Sequence, residues 1–545
     1  MMRNMLIGAA LSALLAAPAP APAAPRPVVA APAGSVEGEE AGDLDVFRGI
    51  PFAAPPVGPL RWRPPVPAAV WQGVRPARDF GAACVQPLPR PGSIYADAPR
   101  RMSEDCLVLN VWAPRKRGKL PVFVWIHGGS LFAGYGHESM FDGARLASQG
   151  MIVVSINYRL GILGYMAHPG LSAEAGDKVS GNYGLLDQIA ALGWVRRNIA
   201  AFGGDADNVT VAGESAGALS TTYLMASPMA RGLFHKAIAQ SAYLVSTPEL
   251  RTAAHGMPSA EAEGVRLASA MGAADVAALR ALPPETLVQK ATAAGYIPWG
   301  TVDGKVLTRQ LVDTFDRGEQ APVPVLAGFN AGEIRSLRFL LPPAPANAQA
   351  YEATIRERYR DLADTFLRLY PAGDMPASML ATTRDAMYGW TATRLAIRQT
   401  AAGQPSYLYF FDHGYPAADE NGLHAFHAAE IPYVFGTAGD MPPAWPKVPD
   451  TPRERALSRA MMGYWASFAR TGVPVAPGAP EWKPYGDQAN YMAFAQEPRP
   501  GTYLLPNMYA LHEAATCRRR AAGDQPWNWN TGVASPILVK AGRCQ

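Results

Sequence analysis

Two kinds of pattern alternate along this chain: short runs that are apolar at nearly every position, and longer stretches whose apolar residues recur at helical spacing. Leu120-Pro-Val-Phe-Val-Trp-Ile126 and Met151-Ile-Val-Val-Ser-Ile-Asn157 are of the first kind, the pattern expected of strands buried on both faces of a largely parallel sheet. Asn182 to Ile199 is of the second kind, with Leu185, Ile189, Leu192, Val195 and Ile199 recurring as on one helical face. It leads into another apolar run, Val209 to Ala212, then a small-residue turn and a helix start. Strand, helix, strand, turn, helix predicts a right-handed α/β winding. Ser103 to Trp112 alternates into a strand, and Pro322 to Gly328 and Ser406 to Phe411 read as two more. Glu249 to Leu282 and Arg455 to Arg470 read as helical, and a mainly helical insertion, about 346–399, separates the last two strands. Phe47 to Trp62 is too rich in proline for helix and predicts a rigid extended segment laid over the core.

The turn after Ala212 carries the first candidate chemistry. Gly213-Glu-Ser-Ala-Gly217 is a G-x-S-x-G match, which chance alone produces in a chain with 52 glycines. Its place between a buried strand and a helix start gives it weight, because a sharp strand-to-helix turn strains the central residue and exposes its side chain at the sheet edge. Ser215 then stands over a helix amino terminus, where developing negative charge is favoured and the Ala216 amide is aimed at the same place. A second feature is His127-Gly128-Gly129 after the Leu120–Ile126 run, where consecutive glycines let backbone amides face outward as in esterase oxyanion holes.

Composition narrows the class. Hydrophobic residues at 49% and charged residues at 17% allow a large core, and a net charge of +4 is too small and scattered to suggest nucleic acid. No Walker loop, zinc-type cysteine spacing or repeat is present, so neither a nucleotide cofactor nor a metal is implied. Arg3, an apolar run from Met5 to Ala17 and then Ala21-Pro22-Ala23 predict a secretory signal over residues 1–23, followed by a flexible lead-in over 24–45. The apolar run is too short to span a bilayer, so no stable membrane anchor is expected, and the product is secreted or periplasmic. Export would place Cys84, Cys106, Cys517 and Cys544 in an oxidising compartment. Four cysteines allow three pairings, and proximity favours Cys84 with Cys106 and Cys517 with Cys544, the latter holding a turn-rich tail.

A serine hydroxyl needs an imidazole to take its proton and a carboxylate to fix that imidazole's tautomer. In an α/β fold of this type the acid and then the histidine follow the serine, each on a loop after a strand. His427 and His424 both lie beyond the Ser406–Phe411 strand, and local reasoning favours His427 only slightly. Glu333, just past the Pro322–Gly328 strand, is the leading carboxylate, with Asp303 and Asp313 as alternatives.

The chain resembles the type-B carboxylesterases, the family that includes the cholinesterases, on Phe47 to Pro56, Ser103-Glu-Asp-Cys-Leu107, His127-Gly-Gly129, Asn182-Tyr-Gly-Leu-Leu-Asp-Gln188, Phe202-Gly-Gly-Asp205, Gly213-Glu-Ser-Ala-Gly217 and Tyr464-Trp-Ala-Ser-Phe468. The resemblance implies one α/β-hydrolase domain over 46–545 and a serine esterase acting on a small-molecule ester without cofactor, as monomer or homodimer. It implies Ser215, Glu333 and His427 as the triad, Gly128, Gly129 and Ala216 as oxyanion donors, and a first disulfide between Cys84 and Cys106. Two departures stand out: Ile334-Arg335 follows the glutamate where the family often has glycine, and Ser130 replaces a common third glycine. The tryptophan that the cholinesterases place ten residues before the second cysteine falls on Ala96, leaving Tyr95 and Glu214 as the groups available to an alcohol moiety. A preference for neutral over choline esters is therefore expected. Specialisation for bulky esters, lactones or polyesters is the alternative. A non-catalytic adhesion module, the other use of this fold, is disfavoured because all three triad residue types are present.

Overall fold

The structure, a computed structural model, describes residues 26–116, 118–527, 530–542 and 544. The expected signal segment, 1–23, lies outside the described residues.

Fourteen strands among the described residues form two sheets. The small one pairs β1 (Val28–Ala31), β2 (Gly34–Glu37) and β5 (Val74–Pro76), with β1 and β2 antiparallel. The large one contains β3 (Glu39–Ala41), β4 (Leu44–Pro51), β6 (Val108–Pro114), β7 (Leu120–Ile126), β8 (Ile152–Ile156), β9 (Gly204–Glu214), β10 (Lys236–Gln240), β11 (Val325–Asn330), β12 (Ser406–Phe411), β13 (Asn490–Phe494) and β14 (Pro498–Thr502). Its order is β14-β13-β12-β11-β10-β9-β7-β8-β6-β4-β3. From β8 to β13 every pairing is parallel, and antiparallel strands close both edges. The parallel strands are covered on both faces, which is why β7, β8, β10 and β11 are apolar with so little alternation. The largest buried cluster holds Leu185, Leu192, Val195 and Leu219, and a second holds Phe435, Trp465 and Phe468.

Helices occupy the places the periodicity predicts: Tyr183–Asn198, Ala216–Ala226 and Pro452–Thr471. The insertion is helical too, through Ala348–Tyr359, Ala363–Leu369, Met375–Arg384 and Trp390–Ala401, with one π turn at Asp385–Gly389. Three expectations are corrected. Residues 28–41 form three strands, β1 to β3, within the stretch read as a flexible lead-in. Within Phe47 to Trp62, the residues up to Pro51 belong to β4 and pair with β6 inside the sheet, because the proline cluster begins only where that strand ends. Cys517 sits inside the helix Met508–Ala522, and the turn-rich tail starts after it.

Parallel strands bring their carboxyl ends to one edge. The segments after β7, β9, β11 and β12 carry His127 to Gly129, Ser215, Glu333 and His427, the placement expected of a site in an open α/β sheet.

Candidate active site

β9 ends at Glu214 and the helix begins at Ala216, so the chain reverses within Ser215. Ser215 has φ 57° and ψ −122°, a conformation that costs a non-glycine residue energy and persists only when its surroundings enforce it. The neighbours do so. A side chain at Gly217 would bring its Cβ 2.0 Å from the carbonyl oxygen of Ile126 in β7, and one at Gly213 would lie 2.4 Å from the backbone of Gly217. The two glycines thus let helix and strands close on the turn. The Ser215 N–H donates to the Gln240 carbonyl at 2.9 Å.

Beyond β7, a Cβ on Gly128 would stand 3.3 Å from Ser215 Cβ, so this backbone passes directly beside the serine. Gly129 has φ 96°, and its carbonyl accepts the N–H groups of Phe132 and Ala133 at 2.9 Å each. Ser130 and Leu131 both have φ 58°, so the position where the family's third glycine is replaced keeps a left-handed backbone. Among the described residues the N–H groups of Gly128, Gly129 and Ala216 have no protein acceptor, which leaves all three available to an anionic oxygen.

Glu333 opens a one-turn helix, Glu333–Ser336, after β11 and is fully buried. Its Oε1 accepts the Asn330 N–H at 2.9 Å, and its Oε2 accepts His427 Nδ1–H at 2.5 Å. The other ring nitrogen, His427 Nε2, lies 3.1 Å from Glu214 Oε1. Burial by itself would lower the imidazole pKa, but the charges of Glu214 and Glu333, the hydrogen bond to Glu333 and the charge of Glu430 outweigh it and raise it above the ordinary histidine value. Burial raises the Glu214 carboxyl, opposed by its attraction to His427.

The sequence alternatives fall elsewhere. His424 is partly exposed and is held by Asp419 at 2.8 Å and Asp412 at 3.0 Å. Asp303 accepts backbone N–H groups of its own turn, and Asp313 pairs with Arg520. Both disulfides form as proximity suggested, Cys84 to Cys106 and Cys517 to Cys544. The Tyr95 hydroxyl reaches His427, and its ring meets Trp445 edge-on at 5.8 Å.

Five neighbours, Glu430, Asn330, Gln240, Trp465 and Tyr388, were not singled out for a role from sequence. Glu430, fully buried, accepts Asn330 Nδ2–H at 2.6 Å and Gln240 Nε2–H at 3.0 Å, while Gln240 Oε1 accepts the Trp465 indole N–H at 2.9 Å. This network joins the backbone beneath Ser215 to the strand that leads to Glu333. Tyr388, on the π turn, places its ring 5.4 Å from the His427 ring. Glu430 lies three residues after His427, a spacing that by itself assigns it no role, and no sequence signal announces a π turn or its aim.

A serine held in a strained strand-to-helix turn of a parallel sheet, with amides, an imidazole and carboxylates at the same edge, defines an α/β-hydrolase. The chain belongs to the carboxylesterase family, whose family model matches residues 25–511, and it is an enzyme of carboxylic-ester hydrolysis. It is 38% identical over 480 residues to the fumonisin B1 esterase of Sphingopyxis macrogoltabida, covering 85% of each chain. It is 35% identical over 462 residues to the para-nitrobenzyl esterase of Bacillus subtilis, covering 84% of this chain and 92% of that one. Among solved structures, a PNB esterase matches with a TM-score of 0.76 at 31% identity, over 89% of this chain and 99% of the other. A Geobacillus stearothermophilus carboxylesterase matches with a TM-score of 0.72 at 32% identity, over the same shares.

Proposed function

We propose that the protein is an exported serine carboxylesterase that works through an acyl-enzyme and prefers neutral esters. The observation that carries the reading is the hydrogen bond from His427 Nδ1–H to Glu333, at the sheet edge that also holds Ser215 in its strained turn. That bond fixes the tautomer whose Nε2, when the ring is neutral, carries the lone pair that accepts a proton. Ser215 Oγ attacks the ester carbonyl carbon while His427 Nε2 takes the hydroxyl proton. The amides of Gly128, Gly129 and Ala216 receive the oxyanion, and Glu333 stabilises the imidazolium without taking its proton. As the carbonyl reforms, the ester C–O bond breaks and His427 returns the proton to the departing alkoxide. Water, deprotonated by the same imidazole, then attacks the acyl-enzyme and releases the acid and Ser215.

Export is supported by the Arg3 and Met5 to Ala17 pattern and by two disulfides, which persist in oxidising compartments. Among the described residues no helix is long and apolar enough to cross a membrane. The relationship to a protein named for fumonisin B1 favours a bulky ester as a second reading of the substrate. A panel of esters graded in acyl length and alcohol size, run on the protein and on Ser215→Ala, tests both. The proposal expects turnover of uncharged esters that vanishes with Ser215→Ala; turnover retained by the variant would overturn it, and efficiency rising with alcohol bulk would favour the second substrate reading.

A further inference from the structure

We propose that Tyr95 is a positioning residue that clasps the loop carrying His427 to the helix carrying Glu333, an inference that rests on the serine-hydrolase reading above. The Tyr95 oxygen lies 2.8 Å from the His427 carbonyl oxygen and 2.8 Å from Ser336 Oγ. A phenol has one proton and a carbonyl only accepts, so that proton goes to His427 and the Ser336 hydroxyl donates its own to the phenol oxygen. Ser336 is the last residue of the Glu333–Ser336 turn, so one side chain spans acid and base.

A second grip acts on the same loop. Trp445 meets the Tyr95 ring edge-on and also packs against Phe426, the residue before His427, at 4.8 Å. The loop needs such support, because His424 and Ala428 on either side of it both have left-handed backbones. On its far side the Tyr95 segment is anchored to the chain following the glycine turn, where the Asp97 carboxylate accepts the Ser139 N–H at 3.2 Å. The Cys84–Cys106 disulfide closes the ring of chain to which this segment belongs. Burial raises the Tyr95 pKa well above that of a free phenol, so the hydroxyl stays a donor through the working range of an imidazole base.

Without the hydroxyl, the His427 peptide and the Glu333 turn lose their common tie while the His427 and Glu333 side chains and the Tyr95 ring remain. Misplacing a catalytic group by about 1 Å costs on the order of 100-fold in rate, so a partial loosening is expected to lower kcat by roughly 10-fold. The test is steady-state kinetics on one neutral ester for Tyr95→Phe, Ser336→Ala and the double variant, with thermal unfolding of each and Ser215→Ala alongside. The expected result is a kcat reduced about 10-fold in Tyr95→Phe with KM within about twofold, a smaller loss in Ser336→Ala, and a double variant no worse than Tyr95→Phe. A Tyr95→Phe kcat within about twofold of the parent overturns the proposal, and so does a rise confined to KM, which would make the phenol a substrate contact. If Tyr95→Phe does not fold, Ser336→Ala decides alone, and an unchanged kcat there overturns it. Ser215→Ala separates the levels: turnover without the serine removes the triad reading itself, whereas a dead serine variant beside a normal Tyr95→Phe removes only the clasp.

Discussion

Replacing Glu214 by glutamine removes a carboxylate whose oxygen stands 3.1 Å from His427 Nε2 and leaves a side chain of the same shape. At an effective dielectric of about 20, two unit charges at that separation attract by roughly 5 kcal/mol, which sets a ceiling on the effect. The realised effect is smaller, because burial raises the Glu214 carboxyl and so opposes its charged form, and because Glu333 and Glu430 continue to favour the imidazolium. A loss of one to two pKa units at His427 is expected, each unit being about 1.4 kcal/mol. The sign follows from the base's task. Under the proposed mechanism His427 accepts a proton only when neutral, so kcat/KM rises with pH through its pKa, and the raised value places that limb above the ordinary histidine range. Glu214→Gln should move the limb toward lower pH by about one unit or more, and so should raise the fraction of competent enzyme on its acid side. The assay is kcat/KM for one neutral ester between about pH 5 and 9, with substrate far below KM, so that the free enzyme's groups are reported. A limb that stays in place, or moves upward, would refute the electrostatic argument.

His427→Ala should lose on the order of 10⁴-fold or more in kcat while His424→Ala stays near the parent, as expected if only His427 belongs to the catalytic unit; initial-rate assays of the two purified variants check it. Asp187→Ala should cost about 3–5 kcal/mol in urea unfolding, because it strips the buried Arg159 guanidinium of a two-pronged partner held at 2.7 and 2.8 Å; a loss under about 1 kcal/mol would mean that the pair is not needed. A choline ester should be turned over less efficiently than an uncharged ester of equal size, since the resemblance to the cholinesterases puts Ala96 at the place of their tryptophan, and a ring of that kind is worth roughly 0.5–2 kcal/mol. Competition kinetics between the two esters decides, and a clear choline preference would contradict it.

The parts of the fold that could be read from residues are those where one physical demand dominates. Strands covered on both faces must be apolar throughout, so β7, β8 and β12 were visible, and the Ser215 turn was visible because close approach of helix and strand demands Gly213 and Gly217. Where pairing rather than composition decides, the reading failed: the alanine- and proline-rich stretch around β1 becomes a strand only because β2 lies beside it. The same limit applies at the site. His427 and His424 share a loop, and only its three-dimensional path turns one toward Glu333 and the other toward Asp412 and Asp419. Tyr95 was noticed for its ring, whereas its hydroxyl does the bridging, across 241 residues to Ser336 and 332 to His427, distances over which local pattern carries no information.

Covalent capture asks whether Ser215 is the nucleophile. The protein is incubated with an aryl phosphonate, which phosphonylates an activated serine and expels a phenol, and its intact mass and peptide map are then measured. The expected result is one adduct per chain, on the peptide containing Ser215, with loss of esterase activity in step with labelling and no labelling of Ser215→Ala. An adduct on another residue that tracks the loss of activity, or full esterase turnover by a protein whose Ser215 is wholly modified, would contradict it.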